Sequence, residues 1–346
     1  MSQDHCHCTI VPPFVLDRMA HSRDPEIAEA ARETRDISEA VRIERSARGA
    51  ARGATGAGTG AERTVYDSEG TPRQRVTKVR SEGGDPTGDV DADTAYEHAG
   101  IVRDYLRGQL GRDSIDGAGM DFILNVHYGV RYGNAFWDGD EMTFGDGDGT
   151  VFGSFARSLD ITAHEIFHGV TQYTNGLEYR GQPGALNEHF SDVFGTVITQ
   201  LANGQTAHDA DWLIGDEVTG PDLQGEAIRS MKAPGTAYDN EIMGTDPQPA
   251  HMDDYYTGFD DNQGVHINSG IPNRAFYLVA TDIGTDRAAL IWYDAFRTLG
   301  ATASFADAAA ALARSAGALT RDGIAPVGAT QSIRSAFREV GVMAEA

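Results

Sequence analysis

Cysteine is almost absent from this 346-residue chain: there are two, Cys6 and Cys8, both in the first stretch. The body of the protein therefore relies on no disulfide, which fits a reducing compartment without requiring one. Long apolar runs are missing too. None approaches the roughly 18 residues of a membrane span, so no membrane partner is expected. Residues 1–8 show no basic region followed by an apolar one, so no Sec-type signal peptide is visible. The expected location is the cytoplasm, or the exterior by a non-classical route. Positive charge is scarce: 28 Lys and Arg stand against 52 Asp and Glu, for a net charge of −24. The deficit is uneven, with 13 basic against 12 acidic residues in 1–80 and 15 against 40 in the remainder. A surface of that sign repels phosphate backbones and argues against nucleic acid as a partner. A monomer is expected, and no internal repeat is visible.

Length and composition suit two domains plus an extension. Residues 24–48 read as a charged helix, with Asp24 as N-cap, Pro25 at the first helical position and a thin apolar stripe through Ile27, Ala31, Thr34 and Val41. A small-residue stretch, Gly49 to Gly60, reads as a linker. Alternation then marks strands at 63–67 and 75–80 and another at 122–128. A helix is expected from about Asp91 to Leu110, with Ala95, Tyr96, Ala99, Val102, Tyr105 and Leu106 inward. Gly145 to Gly149 form a Gly- and Asp-rich turn. After Ile161 the pattern is helical, ending in segments near 272–282, 286–299, 303–318 and 329–340. The resulting division is 1–60 as an extension, 61–160 as a β-rich domain and 161–346 as a helical one. A β-rich half followed by a helical half is a common setting for an active-site cleft at the junction.

The most informative stretch is His164-Glu165-Ile166-Phe167-His168. Helical residues four apart share a face, so the two imidazoles can hold one metal ion while Glu165 sits beside it. Catalytic zinc takes three protein ligands and leaves one position for water. Glu188 is the best candidate for the third. It lies four residues before Asp192 on a second expected helix, whose core stripe runs through Leu186, Phe190, Val193, Phe194, Val197, Ile198 and Leu201. Core histidines on an amphipathic helix would explain His164 and His168 alone, but not together with Glu165 and Glu188.

These motifs, with Asn187 to Asp192, Arg63 to Asp67, Asn134-Ala135-Phe136-Trp137, Tyr179, Ile228 to Met231 and Gly264 to Gly270 in order, resemble the thermolysin family of metalloendopeptidases, in particular its protealysin-like branch. The resemblance runs from about Arg63 to the C-terminus. Pro12-Pro13-Phe14-Val15-Leu16 resembles the proline-proline box in that branch's short propeptides. It implies an α+β, two-domain metalloprotease fold, with a β-rich N-terminal and a helical C-terminal domain, preceded by a propeptide of about 60 residues. The implied activity is cleavage of proteins and peptides by a zinc-dependent neutral endopeptidase. It would be made as a self-processing zymogen whose propeptide is its intramolecular inhibitor.

The resemblance also implies roles. Zinc would be bound by His164, His168 and Glu188, lowering the pKa of its water and polarising the scissile carbonyl. Glu165 would be the general base, and Tyr179 and His266 would stabilise the oxyanion, with Asp261 orienting His266. Asp192 would accept a bond from His164 and Asn187 would support His168. Asn134, the Ala135 backbone and Arg229 would hold the substrate main chain. Phe152, Phe155, Ile161 and Ile228 would line the pocket after the scissile bond, favouring bulky hydrophobic residues there. His189 departs from the small residue more familiar in thermolysin and is expected to point away from zinc. Asp160, Asp211 and Asp216 match carboxylates of the family's calcium cluster, but Thr199 and Leu213 stand where glutamates would be. One weaker calcium ion, or none, is the expectation.

Two other readings have features of their own. A non-catalytic zinc-binding or scaffold protein could keep this fold, but it would be expected to have lost Glu165. An exopeptidase would need an amine-recognition motif near the zinc helix, and none is found. Cys6 and Cys8, flanked by His5 and His7, raise the idea of a prosegment thiolate at the open zinc position. A mobile tail with adventitious metal affinity is the plainer alternative.

Overall fold

The computed structural model describes residues 8–48, 60–223 and 225–344. The stretch read as a linker therefore lies outside the described residues except for Gly60, as does Cys6. The chain divides into two compact units. The first is Met1–Tyr173 with Gly215–Ile228 and Tyr238–Gly244; the second is Thr174–Ile214, Arg229–Ala237 and Thr245–Ala346.

The first unit begins with β1 (Cys8–Thr9), α1 (Pro13–Met19) and α2 (Pro25–Arg48). Pro12 is extended at the N-cap of α1, and Pro13 occupies the first turn, where a missing N–H costs nothing. Asp24 accepts a bond from the Glu26 N–H at 2.8 Å, as expected of the residue opening α2. The stripe on α2 is thin but anchored. Ile37 and Val41 pack on Tyr128, Tyr132 and Phe136. Thr34 Oγ1 accepts from the Gly133 N–H at 3.0 Å, and Ser38 shares a 2.9 Å bond with the buried Tyr132 hydroxyl.

The sheet adds β2 (Arg63–Asp67), β3 (Thr77–Ser81), β4 (Phe122–Val126), β5 (Ala135–Trp137) and β6 (Met142–Phe144) to β1, in the order β1-β5-β6-β4-β2-β3. β2 runs parallel to β4 and β4 to β6, and the other neighbours are antiparallel. β3 starts two residues later than its alternation suggests. Arg75 is left-handed, at φ 53°, and donates its N–H to Asn125 Oδ1 instead of to a ladder.

Helix α3 (Val90–Gly108) packs on this sheet. Asp89 caps it by accepting from the N–H groups of Asp91 and Ala92, and Asp91 and Asp93 suit the positive end of the helix dipole. All six residues expected to face inward are buried. The unit is completed by α4 (Leu159–Gln172), buried from Leu159 through Thr171.

The second unit is mostly helical. It comprises α5 (Gly181–Ala202), β7 (Leu213–Ile214) paired antiparallel with β8 (Arg229–Ser230), α6 (Asp260–Asn268), α7 (Gly270–Ile283), α8 (Thr285–Phe296), α9 (Phe305–Arg321) and α10 (Ala329–Glu339). The last four match the expected helical segments. Ser304 and Asp307 form a reciprocal capping box at the start of α9. On α5 the expected core stripe holds from Leu186 to Ile198. Leu201 departs from it: in the last turn, beyond the packing helices, it is 54% exposed.

Gly169 shows how tightly α4 is packed. A Cβ there would lie 2.7 Å from Ile115 Cγ2 and 2.9 Å from Trp137 Cζ2. Gly169→Ala gains about 1 kcal/mol in helix propensity, but overpacking of this kind costs about 1–3 kcal/mol. The expected result is a net loss of stability in urea unfolding; a more stable variant would show that α4 has slack against β5.

Candidate active site

The His164 and His168 side chains lie on one face of α4, as their spacing requires. Their Nε2 atoms are 2.9 Å apart, and the rings meet nearly edge to face at 86°. Both are buried, and Glu165 between them is fully buried. Two imidazole nitrogens turned towards one point are a donor pair that fits one zinc ion at Zn–N lengths of about 2.0–2.1 Å.

Asn134 and Ala135, expected to hold a substrate main chain, are met here by the chain's own N-terminal segment. The Ile10 N–H donates to the Ala135 carbonyl at 3.2 Å. The Val11 N–H donates to Asn134 Oδ1 at 2.9 Å, and Asn134 Nδ2 donates to the Val11 carbonyl at 3.1 Å. Just before them, Cys8 and Thr9 pair with Trp137 and Phe136. An extended segment thus lies along β5 and occupies these groups as a peptide would. Its proline-proline box signalled a propeptide, but nothing local could show which residues it would cover.

Phe152, Phe155, Ile161 and Ile228 are all buried in this unit, and the two phenyl rings lie 5.6 Å apart. The loop before them is tied down by Asp148, which accepts from the N–H groups of Thr150, Val151 and Phe152. Asp160, matched to a calcium carboxylate, uses its oxygens within the protein. It accepts from the Ser158 hydroxyl, the Ile161 N–H at 2.6 Å and the Gly215 N–H at 2.8 Å. Burial pushes its carboxyl up from the usual range. Asp216 opens a short 3₁₀ turn in the same unit. Asp211 belongs to the second unit and accepts from the Leu213 N–H at 3.1 Å.

In the second unit the structure gathers Tyr179, Glu188, Asp261 and His266. The Tyr179 hydroxyl donates to Glu188 Oε1 and lies 3.2 Å from His266 Nε2, which is 3.6 Å from Glu188 Oε2. Asp261 is left-handed at φ 53°, and three more residues in that region follow it at the start of α6. That turn brings its carboxylate back to accept from the His266 N–H at 2.8 Å and from Nδ1 at 2.6 Å. Burial works against a charged His266, but the Asp261 carboxylate and then that of Glu188 outweigh it and raise the imidazole to about 9. As an imidazolium it offers a donor at Nε2, as oxyanion stabilisation requires.

Arg229, on β8, is buried with its guanidinium on Asp192. Nε lies 3.0 Å from Oδ2 and Nη2 2.8 Å from Oδ1. Asn273 Nδ2 donates to the same carboxylate at 2.9 Å. Sequence reasoning missed the run of bonds through His189. Trp292 Nε1 donates to His189 Nε2 at 2.8 Å, and His189 Nδ1 lies 2.7 Å from Asn273 Oδ1. Burial holds His189 down at about 4, so it is neutral and its tautomer is set by these two partners. Asn187 Nδ2 reaches the Leu177 carbonyl at 3.5 Å.

His127 was also missed as a charged group. Its Nδ1 faces Asp146 at 2.9 Å and its Nε2 faces Asp89 at 2.9 Å, joining the Gly- and Asp-rich turn to the start of α3. Asp91 beside them is paired with Arg157 at 2.5 Å. The cluster is therefore a strap in which two cations, His127 and Arg157, meet three carboxylates.

Comparisons with known proteins bear on the family and the fold. The catalytic domain of thermolysin metallopeptidases matches residues 47–172, and their α-helical domain matches 175–342. The chain is 42% identical over 303 residues to an extracellular metalloprotease of Pectobacterium carotovorum subsp. carotovorum, covering 86% of this chain and 87% of that one. It is 39% identical over 265 residues to thermolysin of Alicyclobacillus acidocaldarius subsp. acidocaldarius, covering 73% of this chain and 46% of that one. Among solved structures, the precursor of protealysin, a metalloproteinase from Serratia proteamaculans, superposes with a TM-score of 0.86 at 39% identity. That match covers 97% of this chain and all of the other. The fold is that of a metallopeptidase with a sheet-rich catalytic domain and a helical domain. More particularly, the chain belongs to the thermolysin family and is a zinc-dependent endopeptidase with a precursor-type N-terminal segment.

The His127 strap makes a pH dependence. Hydrogen bonding to Asp146, against some desolvation and with help from Asp89, raises its imidazole from 6.5 to about 9. A raised histidine pKa stabilises fully below the unfolded value and loses that contribution as pH rises through the folded one. Thermal unfolding should therefore show wild type more stable than His127→Gln at pH 6, with the gap closing above pH 9. A gap independent of pH would mean that packing, not charge, gives His127 its role.

Proposed function

We propose that His164, His168 and Glu188 hold the catalytic zinc and that Glu165 is the general base of peptide hydrolysis. The observation that carries this reading is the pair of buried Nε2 atoms turned towards each other on α4. The bound metal would supply Lewis-acid polarisation of the carbonyl and a lowered water pKa. Glu165 accepts the proton of the attacking water and passes it to the leaving amine. Tyr179 and protonated His266 donate to the developing oxyanion, and Asp261 keeps the His266 ring oriented. Asp192 and Asn187 support the metal-binding histidines from behind. Asn134, the backbone of Ala135 and Arg229 bind the substrate main chain. Phe152, Phe155, Ile161 and Ile228 favour a bulky hydrophobic residue after the scissile bond.

The roles of Ile10 and Val11 follow from the same reading. They hold Asn134 and Ala135 as substrate would, so residues 1–60 act as an intramolecular inhibitor, removed by self-cleavage in the stretch before Arg63. The mature protein is then the β-rich and helical domains, 61–160 and 161–346, acting as a monomer on proteins and peptides rather than nucleic acid or membranes. Calcium is at most one weak ion involving Asp160, Asp211 and Asp216, because two expected glutamates are replaced. The relative named as extracellular favours action outside the cell.

Intact mass followed over time on full-length protein with zinc tests self-processing. Wild type should lose about 60 N-terminal residues, the length inferred for the prosegment, while Glu165→Ala stays whole; equal processing in both would remove Glu165 from the base role. For matured enzyme, Tyr179→Phe and His266→Gln should each lower kcat by about 10²–10³ with little change in KM, the usual cost of an oxyanion donor. A change confined to KM would make them substrate-binding groups.

A further inference from the structure

His266 is held by its backbone as well as by its ring, and the second hold comes from the loop before α6. The turn that delivers Asp261 to the ring keeps three non-glycine residues left-handed: Asp261 at φ 53°, Asn262 at 49° and Gln263 at 67°. That conformation is costly for a residue with a side chain and persists only where the surroundings over-determine it. One support is the fully buried Asn268. Its side chain accepts from the Tyr256 N–H at 2.9 Å and donates to the Tyr256 carbonyl at 3.0 Å, which closes the loop around the turn.

The other support is Gln248. Its Nε2 donates to the His266 carbonyl at 2.7 Å and to Ser269 Oγ at 3.1 Å, and the Ser269 hydroxyl donates to the same carbonyl at 2.9 Å. All three residues are buried. Gln248 is itself fixed in place. Its N–H donates to Asp246 Oδ1 at 3.0 Å, while Asp246 Oδ2 accepts from the N–H groups of Gly235 and Ala237. The start of α7 packs directly on it: a Cβ at Gly270 would lie 2.8 Å from the Pro249 carbonyl oxygen and 3.0 Å from Gln248 Cβ. Gln248 Oε1 has no hydrogen-bonding partner among the described residues. A buried acceptor left in that state is a cost that an apolar side chain would avoid, so what the amide adds here is its N–H groups.

We propose that Gln248 is a positioning residue for peptide hydrolysis, acting through His266: it holds the His266 backbone so that the imidazole Nε2 stays beside the Tyr179 hydroxyl, 3.2 Å away. This rests on the oxyanion role of His266 given above. Asp261 fixes the ring through Nδ1 and the His266 N–H, and Gln248 with Ser269 fixes the carbonyl at the other end of the same residue. With both ends tied, the residue cannot tilt and carry its ring away. A donor displaced by a fraction of an ångström loses its directed bond to charge that develops only in the transition state. The loss therefore falls on kcat and leaves KM nearly unchanged.

Peptide cleavage by enzyme matured from the full-length, zinc-loaded chain tests this. Gln248→Met, similar in length but without N–H groups, should lower kcat about 10- to 100-fold, with KM changed by no more than about twofold. Ser269→Ala, a smaller change, should act in the same direction but less, and it takes over the test if circular dichroism shows Gln248→Met unfolded. The deciding comparison is a double-mutant cycle with His266→Gln. A residue that works through His266 has nothing left to position in that background, so adding Gln248→Met or Ser269→Ala should cost no further activity. A further loss as large as in the wild-type background would make the contact merely structural and overturn the proposal. Unchanged kcat in a folded Gln248→Met enzyme would overturn it too, while leaving the oxyanion role of His266 standing. Wild-type kcat in His266→Gln alone would instead remove that oxyanion role, and the proposal with it.

Discussion

The first unit is built around two imidazoles and a carboxylate buried on one helix. Helix α4 is buried from Leu159 to Thr171, so His164, Glu165 and His168 have no bulk water to satisfy them, and a buried ionisable group is costly without a partner. Packing holds the arrangement. The absence of a side chain at Gly169 lets the Trp137 ring and Ile115 close against α4, which fixes the helix relative to β5. β5 is also the strand that receives the N-terminal segment. One helix–strand contact thus positions the paired imidazoles and the strand edge that receives the N-terminal segment together.

The second unit solves a related problem with charge. His266, Glu188 and Tyr179 lie close together, and the protonated imidazole is supported by Asp261 from a left-handed turn. Arg229 and Asp192 are a fully buried ion pair, which is tolerable because every partner is a directed hydrogen bond. The run from Trp292 through His189 and Asn273 to Asp192 carries fixed donor directions across three helices. A neutral, buried His189 explains why a bulky polar residue can stand next to Glu188: both its ring nitrogens are engaged away from it.

The N-terminal segment is economical in sequence. Residues 8–11 supply a strand, peptide groups bonded to Asn134 and Ala135, and a sulfur near His168. Extended backbone recognises extended backbone without specific side chains, so this pairing needs only a correct register. The proline pair just after Val11 ends that register and starts α1, because Pro12 is extended and Pro13 begins a helix.

Local pattern was enough for the elements and for the metal motif. The helices at 25–48 and 90–108 and the four C-terminal ones were legible from caps and 3.6-residue periodicity, and the four-residue spacing of His164 and His168 put them on one face. Legibility failed where the backbone left its regular state or a residue's partner lay far along the chain. Arg75 turns left-handed and delays β3; Leu201 carries the apolar period past the end of its packing partners. The charge on His127, the neutrality of His189 and the burial of Cys8 depend on groups 19 to 129 residues away. Spacing within the chain determined which residues could share a helix face, because helix geometry is local. Only the tertiary structure decided which of them are charged, covered or opposed, because burial and electrostatic fields are sums over residues that the sequence keeps apart.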